Sequence, residues 1–153
     1  MTDTASERGE VFITRIFDAP RDLVFACMTE PAHLTHFWGP TRVSTPIENI
    51  IVDLRVGGAF ETVMVNDDNG EHHRSAGIYT EIIRPSVLAW AEPDGISNHS
   101  TFIDLGDGRT EVRIHQTNVP AMFRSPEAQA GMSSSLDRFA TYLADLHSTA
   151  TAP

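Results

Sequence analysis

The side chains from which this 153-residue sequence could build reactive chemistry are seven histidines, one cysteine, the run Ser133-Ser134-Ser135 and eleven arginines. Lysine is absent, which removes Schiff-base, P-loop and Ser–Lys chemistry. The histidines are His33, His36, His72, His73, His99, His115 and His147. His33 and His36 could share a helix face, but no third ligand accompanies them. No pair shows the four-residue spacing with an intervening Glu of a helical zinc site, and Cys27 has no cysteine partner, so no metal is expected. His72 and His73 alternate across a strand beside an Asn-Gly turn and read as solvent-facing. His115 faces outward if Val112 and Ile114 face the core, whereas His99, near the start of a strand, stays a candidate. With no Gly-x-Ser-x-Gly elbow and no glycine-rich phosphate loop, neither a nucleophilic serine nor a nucleotide cofactor is indicated. Cys27, on a helix face, reads as an apolar filler.

Arg15 and Arg55 lie in strand-like runs. Each can pair with a carboxylate such as Asp53, Glu61 or Asp18, or point inward to hold a carboxylate or phenolate, and exposed ion pairs are the commoner outcome. Aromatic and methionine side chains are better material for a binding site. Trp38, Phe60, Tyr79, Trp90, Phe102, Met122, Phe123, Met132 and Phe139 would supply an apolar lining, with Ser135 beside Met132 on the same helix. Plain core packing competes for most of them, but buried Tyr and Trp need a hydrogen-bond partner that a cavity or ligand can provide.

The elements that must position these residues follow from punctuation and period. Val11 to Phe17 suits a strand, and Asp18-Ala19-Pro20 ends it, with Pro20 expected at the first position of a short helix. Glu30-Pro31 opens a second short helix reaching about Phe37. From residue 41 the pattern becomes β-rich runs at about 42–53, 58–66, 72–83, 86–92, 99–105 and 109–117. Turns as short as Gly57-Gly58, Arg84-Pro85 and Gly106-Asp107-Gly108 cannot hold crossover helices, so the strands should pair as antiparallel hairpins. Ser125-Pro126-Glu127 then starts a helix of about 20 residues. Its apolar stripe is Ala128, Met132, Leu136, Phe139, Leu143 and Leu146. A sheet this long needs a cover, and the last helix alone is large enough. A curved sheet around one helix predicts a pocket between them.

Composition sets the outer limits. Hydrophobic residues at 41% and charged residues at 21% exclude disordered and fibrous classes. A net charge of −10 with scattered arginines excludes nucleic-acid and anionic-membrane partners. No apolar stretch approaches the ~20 residues of a transmembrane helix, the polar N-terminus shows no secretory signal, and the single cysteine fits a reducing compartment. A cytoplasmic location is expected. One domain over residues 10–147 is expected between a disordered lead at 1–9 and a flexible tail at 148–153.

Six motifs carry a resemblance. They are Arg15-Ile16-Phe17-Asp18-Ala19-Pro20, Thr29-Glu30-Pro31, Trp38-Gly39-Pro40, Asp53-Leu54-Arg55-Val56-Gly57-Gly58, Gly77-Ile78-Tyr79-Thr80-Glu81-Ile82 and Ser135-Leu136-Asp137-Arg138-Phe139. In this order the chain resembles the START-like (SRPBCC) superfamily, and within it the bacterial group related to the C-terminal domain of the heat-shock-protein-90 ATPase activator. The resemblance implies an α+β helix-grip (START-like, Bet v 1-like) fold. That is a curved antiparallel sheet of about six or seven strands around a long C-terminal helix, with two short helices after the first strand. Phe37-Trp38 stands where relatives commonly have Trp-Trp, and Gly131-Met132 where they have Gly-Trp, so pocket volume and ligand are expected to differ.

Fold alone does not fix chemistry. The leading expectation is a cavity for a small apolar or aromatic ligand, lined by the aromatic and methionine set above, with Met132 and Ser135 the most specific contacts, in a monomer or homodimer without cofactor. The resemblance implies two alternatives. One is a cyclase-, aromatase- or hydrolase-like enzyme in which Tyr79, His99 and Arg55 converge as acid/base and oxyanion groups. The other is a co-chaperone-like interaction domain.

Overall fold

The computed structural model describes residues 9–151, with side chains as far as Leu146. The expected lead, apart from Gly9, and the last two residues of the expected tail lie outside the described residues. Strand β1 (Val11–Phe17) alternates, with Val11, Ile13, Arg15 and Phe17 inward and Phe12, Thr14 and Ile16 outward. Helix α1 (Arg21–Cys27) follows Pro20, which has extended backbone (φ −68°, ψ 151°) and precedes the helix instead of occupying its first turn. Helix α2 (Pro31–Leu34) has Pro31 in its first turn, where a missing N–H costs no helical bond.

Seven further strands follow: β2 (Val43–Ser44), β3 (Ile50–Val52), β4 (Ala59–Asn66), β5 (His72–Ile83), β6 (Val87–Ala91), β7 (Ser97–Asp104) and β8 (Thr110–Thr117). The sheet runs β1-β8-β7-β6-β5-β4-β2, with β3 also on β4, and all pairings are antiparallel. Eight strands replace the six or seven expected because the run 42–53 is two short strands. Pro46 has no ladder donor and leads into a single 3₁₀ turn at Ile47–Asn49. Between β3 and β4 the chain reverses at Gly57 (φ +87°), and a Cβ on Gly58 would lie 2.0 Å from the Asp53 carbonyl oxygen, so the pair of glycines is required by geometry.

Helix α3 (Pro126–Thr151) completes the fold. The Ser125 hydroxyl caps it, accepting the Ala128 N–H at 3.1 Å. The helix extends past the expected end near residue 147, since no Gly or Pro intervenes before Pro153. Leu136, Phe139 and Leu143 are buried beneath it. Phe139 sits between Phe17 (ring centroids 4.8 Å apart) and Phe37 (4.2 Å), locking α3 to β1 and to the turn after α2. On the other side of the core, Phe25 of α1 meets Phe102 of β7 edge-on at 5.3 Å. Each such side chain, fully buried, stabilises by about 1.5–3 kcal/mol. The architecture is the helix-grip fold.

Candidate functional site

The inner faces of β4, β5 and β6 and the turn after α2 bring four aromatic rings together. Phe60 of β4 stacks on Tyr79 of β5 (centroids 5.6 Å, planes 12° apart) and meets Trp90 of β6 edge-on at 4.9 Å. Trp38 lies edge-on to Phe60 at 5.3 Å and 6.3 Å from Trp90. Register explains the grouping: Phe60 pairs with Gly77, and Tyr79 with Trp90. A Cβ on Gly77 would lie 3.0 Å from Trp90 Cδ1, so the glycine leaves room for the indole over the β5 backbone. Phe60, Tyr79 and Trp90 are buried, whereas Trp38 is half-buried.

Trp38 is held through its own segment. Its carbonyl accepts the buried Thr45 hydroxyl at 2.8 Å. The Arg138 Nη1 of α3 lies 2.8, 2.9 and 3.0 Å from the carbonyl oxygens of Gly39, Pro40 and Val43. One guanidinium thus ties this segment to the helix with charge-assisted bonds.

Polar groups border the rings on the same face. Tyr79 is 1% exposed, and its hydroxyl, like Thr62 Oγ1, meets no hydrogen-bond partner among the described residues. Burial raises the phenol's pKa well above its ordinary value, so Tyr79 is a neutral donor. Along the row from Trp90, Gln116 donates to Asn98 at 3.3 Å and Asn98 donates to Ser100 at 3.0 Å. Ser75, opposite Thr62, donates to Glu92 at 3.1 Å. Burial raises the Glu92 carboxyl, and the Ser75 bond opposes that shift.

Arg15 points inward and forms an ion pair with Asp137 of α3 at 2.7 Å, a partner distant in sequence from all three carboxylates expected for it. It also donates to the Ser133 carbonyl and hydroxyl at 3.4 and 3.3 Å. Beside it, Ile13, Met132 and Leu136 border a depression of about 260 Å³ between β1 and α3. A second, more open depression of about 400 Å³ lies on the outer side of α3, bordered by His36, Asp137, Tyr142 and Asp145.

Of the residues expected to line the site, Trp38, Phe60, Tyr79 and Trp90 come together. Phe102 and Phe139 are buried in the same core, their ring contacts being with Phe25 and with Phe17 and Phe37, respectively. Met132 and Ser135 are half-buried on α3, Met132 beside Arg15. Met122 and Phe123 fall on a 3₁₀ turn and are 71% and 42% exposed, outside any lining. The expected convergence of Tyr79, His99 and Arg55 does not occur. His99 alternates with buried Asn98 and Ser100, so it faces outward and meets Glu81 at 3.3 Å. Arg55 is exposed and paired with Asp53 at 2.9 Å. His33 bonds the Tyr142 hydroxyl at 2.6 Å through Nδ1, and His36 stacks on that ring at 5.0 Å. Cys27 is buried, and burial, with Glu30 adding to it, pushes its thiol up to about 12, which suits a filler. Asn98, Gln116 and Thr62 were missed because polar residues on strands read as outward-facing.

None of the curated proteins matches the chain. Several solved structures share its fold. One, from Chromobacterium violaceum, superposes with a TM-score of 0.80 at 20% identity, covering 88% of this chain and 96% of its own. The AHSA1-like protein from Aeromonas hydrophila gives 0.78 at 22% identity, covering 90% and 94%. The AHSA1 protein from Silicibacter pomeroyi gives 0.70 at 25%, covering 88% and 97%. Residues 18–144 match the family described as Activator of Hsp90 ATPase homolog 1-like protein, a match that runs from the turn before α1 through most of α3. The chain belongs to the Activator of Hsp90 ATPase homolog 1-like family, within the START-like superfamily.

Proposed function

We propose that this chain is a cytoplasmic binding protein that holds a small, mostly apolar molecule against the inner sheet face beneath α3. The observation that carries this is the ring cluster of Trp38, Phe60, Tyr79 and Trp90. A flat apolar molecule finds ring faces and edges there, and burying its surface supplies about 25 cal/mol per Å² before the costs of association. Trp38, half-buried on a turn instead of a strand, is the ring a ligand displaces. A few bordering polar groups then fix orientation, as in small-molecule sites generally. Among the described residues His99 and Arg55 face away from the rings, which favours binding without turnover.

The test is native mass spectrometry of the full chain purified gently from the cells that make it. One retained small molecule per chain, released on denaturation, is expected. A bare chain that also takes up nothing from a mixture of apolar aromatic compounds would overturn the proposal.

A further inference from the structure

We infer that the molecule bound at the ring cluster is uncharged and presents a carbonyl-type oxygen acceptor to the hydroxyl of Tyr79 or of Thr62. The inference rests on the binding function proposed above and names the ligand class.

Both hydroxyls lie on the inner face of the sheet on either side of Phe60, Thr62 two residues along β4 and Tyr79 stacked on the ring. Both are buried and without a partner among the described residues. A buried hydroxyl without a partner is a standing cost that a ligand oxygen removes. Tyr79 can donate one hydrogen bond, and burial keeps its proton on the ring oxygen. Of the flanking rings, Phe60 has no polar group and the indoles of Trp38 and Trp90 carry only N–H donors, so an oxygen acceptor on an otherwise apolar, flat molecule is what such a hydroxyl complements.

Charge selects the neutral form. Among the described strand arginines, Arg74 and Arg113 are exposed and matched to Glu61 and Glu111. Arg15 faces inward, but Asp137 and Ser133 already engage it. Arg138 is engaged by three carbonyl oxygens. Glu92, bonded to Ser75 across from Thr62, adds an acidic group to the same face. A carboxylate ligand would therefore enter low-dielectric surroundings in which the strand arginines and Arg138 are already engaged and a carboxyl lies nearby, which is strongly unfavourable.

Three probes of one shape separate the possibilities: 2-ethylnaphthalene, 2-acetylnaphthalene and 2-naphthoate. Each is titrated into the full chain and into Tyr79→Phe and Thr62→Val, following tryptophan emission. The acetyl compound should bind about tenfold more tightly than the ethyl compound, and the naphthoate at least tenfold more weakly than the acetyl compound. Tyr79→Phe or Thr62→Val should reduce the acetyl compound's advantage over the ethyl compound. Equal affinity for acetyl and ethyl, an acetyl advantage that survives both substitutions, or naphthoate binding most tightly would overturn the inference and leave the binding function standing. No saturable binding by any of the three would overturn the binding function itself.

Discussion

Tyr79 keeps a buried hydroxyl that meets no partner among the described residues. Removing that oxygen should help the fold and harm the site: Tyr79→Phe is expected to stabilise the ligand-free protein by about 1 kcal/mol. Urea denaturation checks this, and a loss of stability would mean that the hydroxyl is satisfied. Cys27 makes a second prediction. Its thiol ionises ordinarily near 9.0 and in the folded chain is pushed up to about 12. Below pH 9 both states keep the proton and the contribution is intact. Between pH 9 and 12 the unfolded thiol loses its proton while the folded one holds it, so stability falls by up to about 1.4 kcal/mol per pH unit. Cys27→Ala should flatten that fall in urea midpoints measured from pH 9 to 11; an unchanged slope would refute the assignment. Residue-level legibility was uneven. His99 could have been placed outward by parity with Phe102, three positions away on the same strand. The Arg15–Asp137 pair could not, because nothing local links β1 to α3. Met122 and Phe123 misled because apolar composition does not distinguish a lining from an exposed turn.

The elements were more legible, since they are written in punctuation. Gly57-Gly58, Gly106-Asp107-Gly108 and Ser125-Pro126 mark chain reversals and a helix start that the fold uses. The run 42–53 was misread as one strand because its β-branched residues outweighed Pro46. Two positions test how elements shape the site. Gly77→Ala would press a methyl against Trp90 Cδ1. It should cost about 1–2 kcal/mol and shift tryptophan emission; a silent substitution would mean that the indole is not confined there. Arg138→Met removes the donor shared by Gly39, Pro40 and Val43. A loss of about 2 kcal/mol is expected, with red-shifted emission as Trp38 is freed. An unchanged spectrum would show that Thr45 alone holds the segment.

At the scale of the whole molecule, β1 pairs with β8 at one edge of the sheet, and α3 spans inward from Phe139 and from the Arg15–Asp137 pair. Solved structures at 20–25% identity to this chain share its fold. Layer packing and hairpin order therefore tolerate extensive change in side chains. Both tryptophans of the sequence lie in that cluster, so their emission reports on it directly. The central measurement is a titration of the full chain with N-phenyl-1-naphthylamine, a neutral fluorescent apolar probe, exciting tryptophan and reading both tryptophan and probe emission. One saturable site per chain with efficient transfer from Trp38 and Trp90 is predicted. Absence of saturable binding, or saturable binding that leaves tryptophan emission unchanged, would contradict a ligand site at the aromatic cluster.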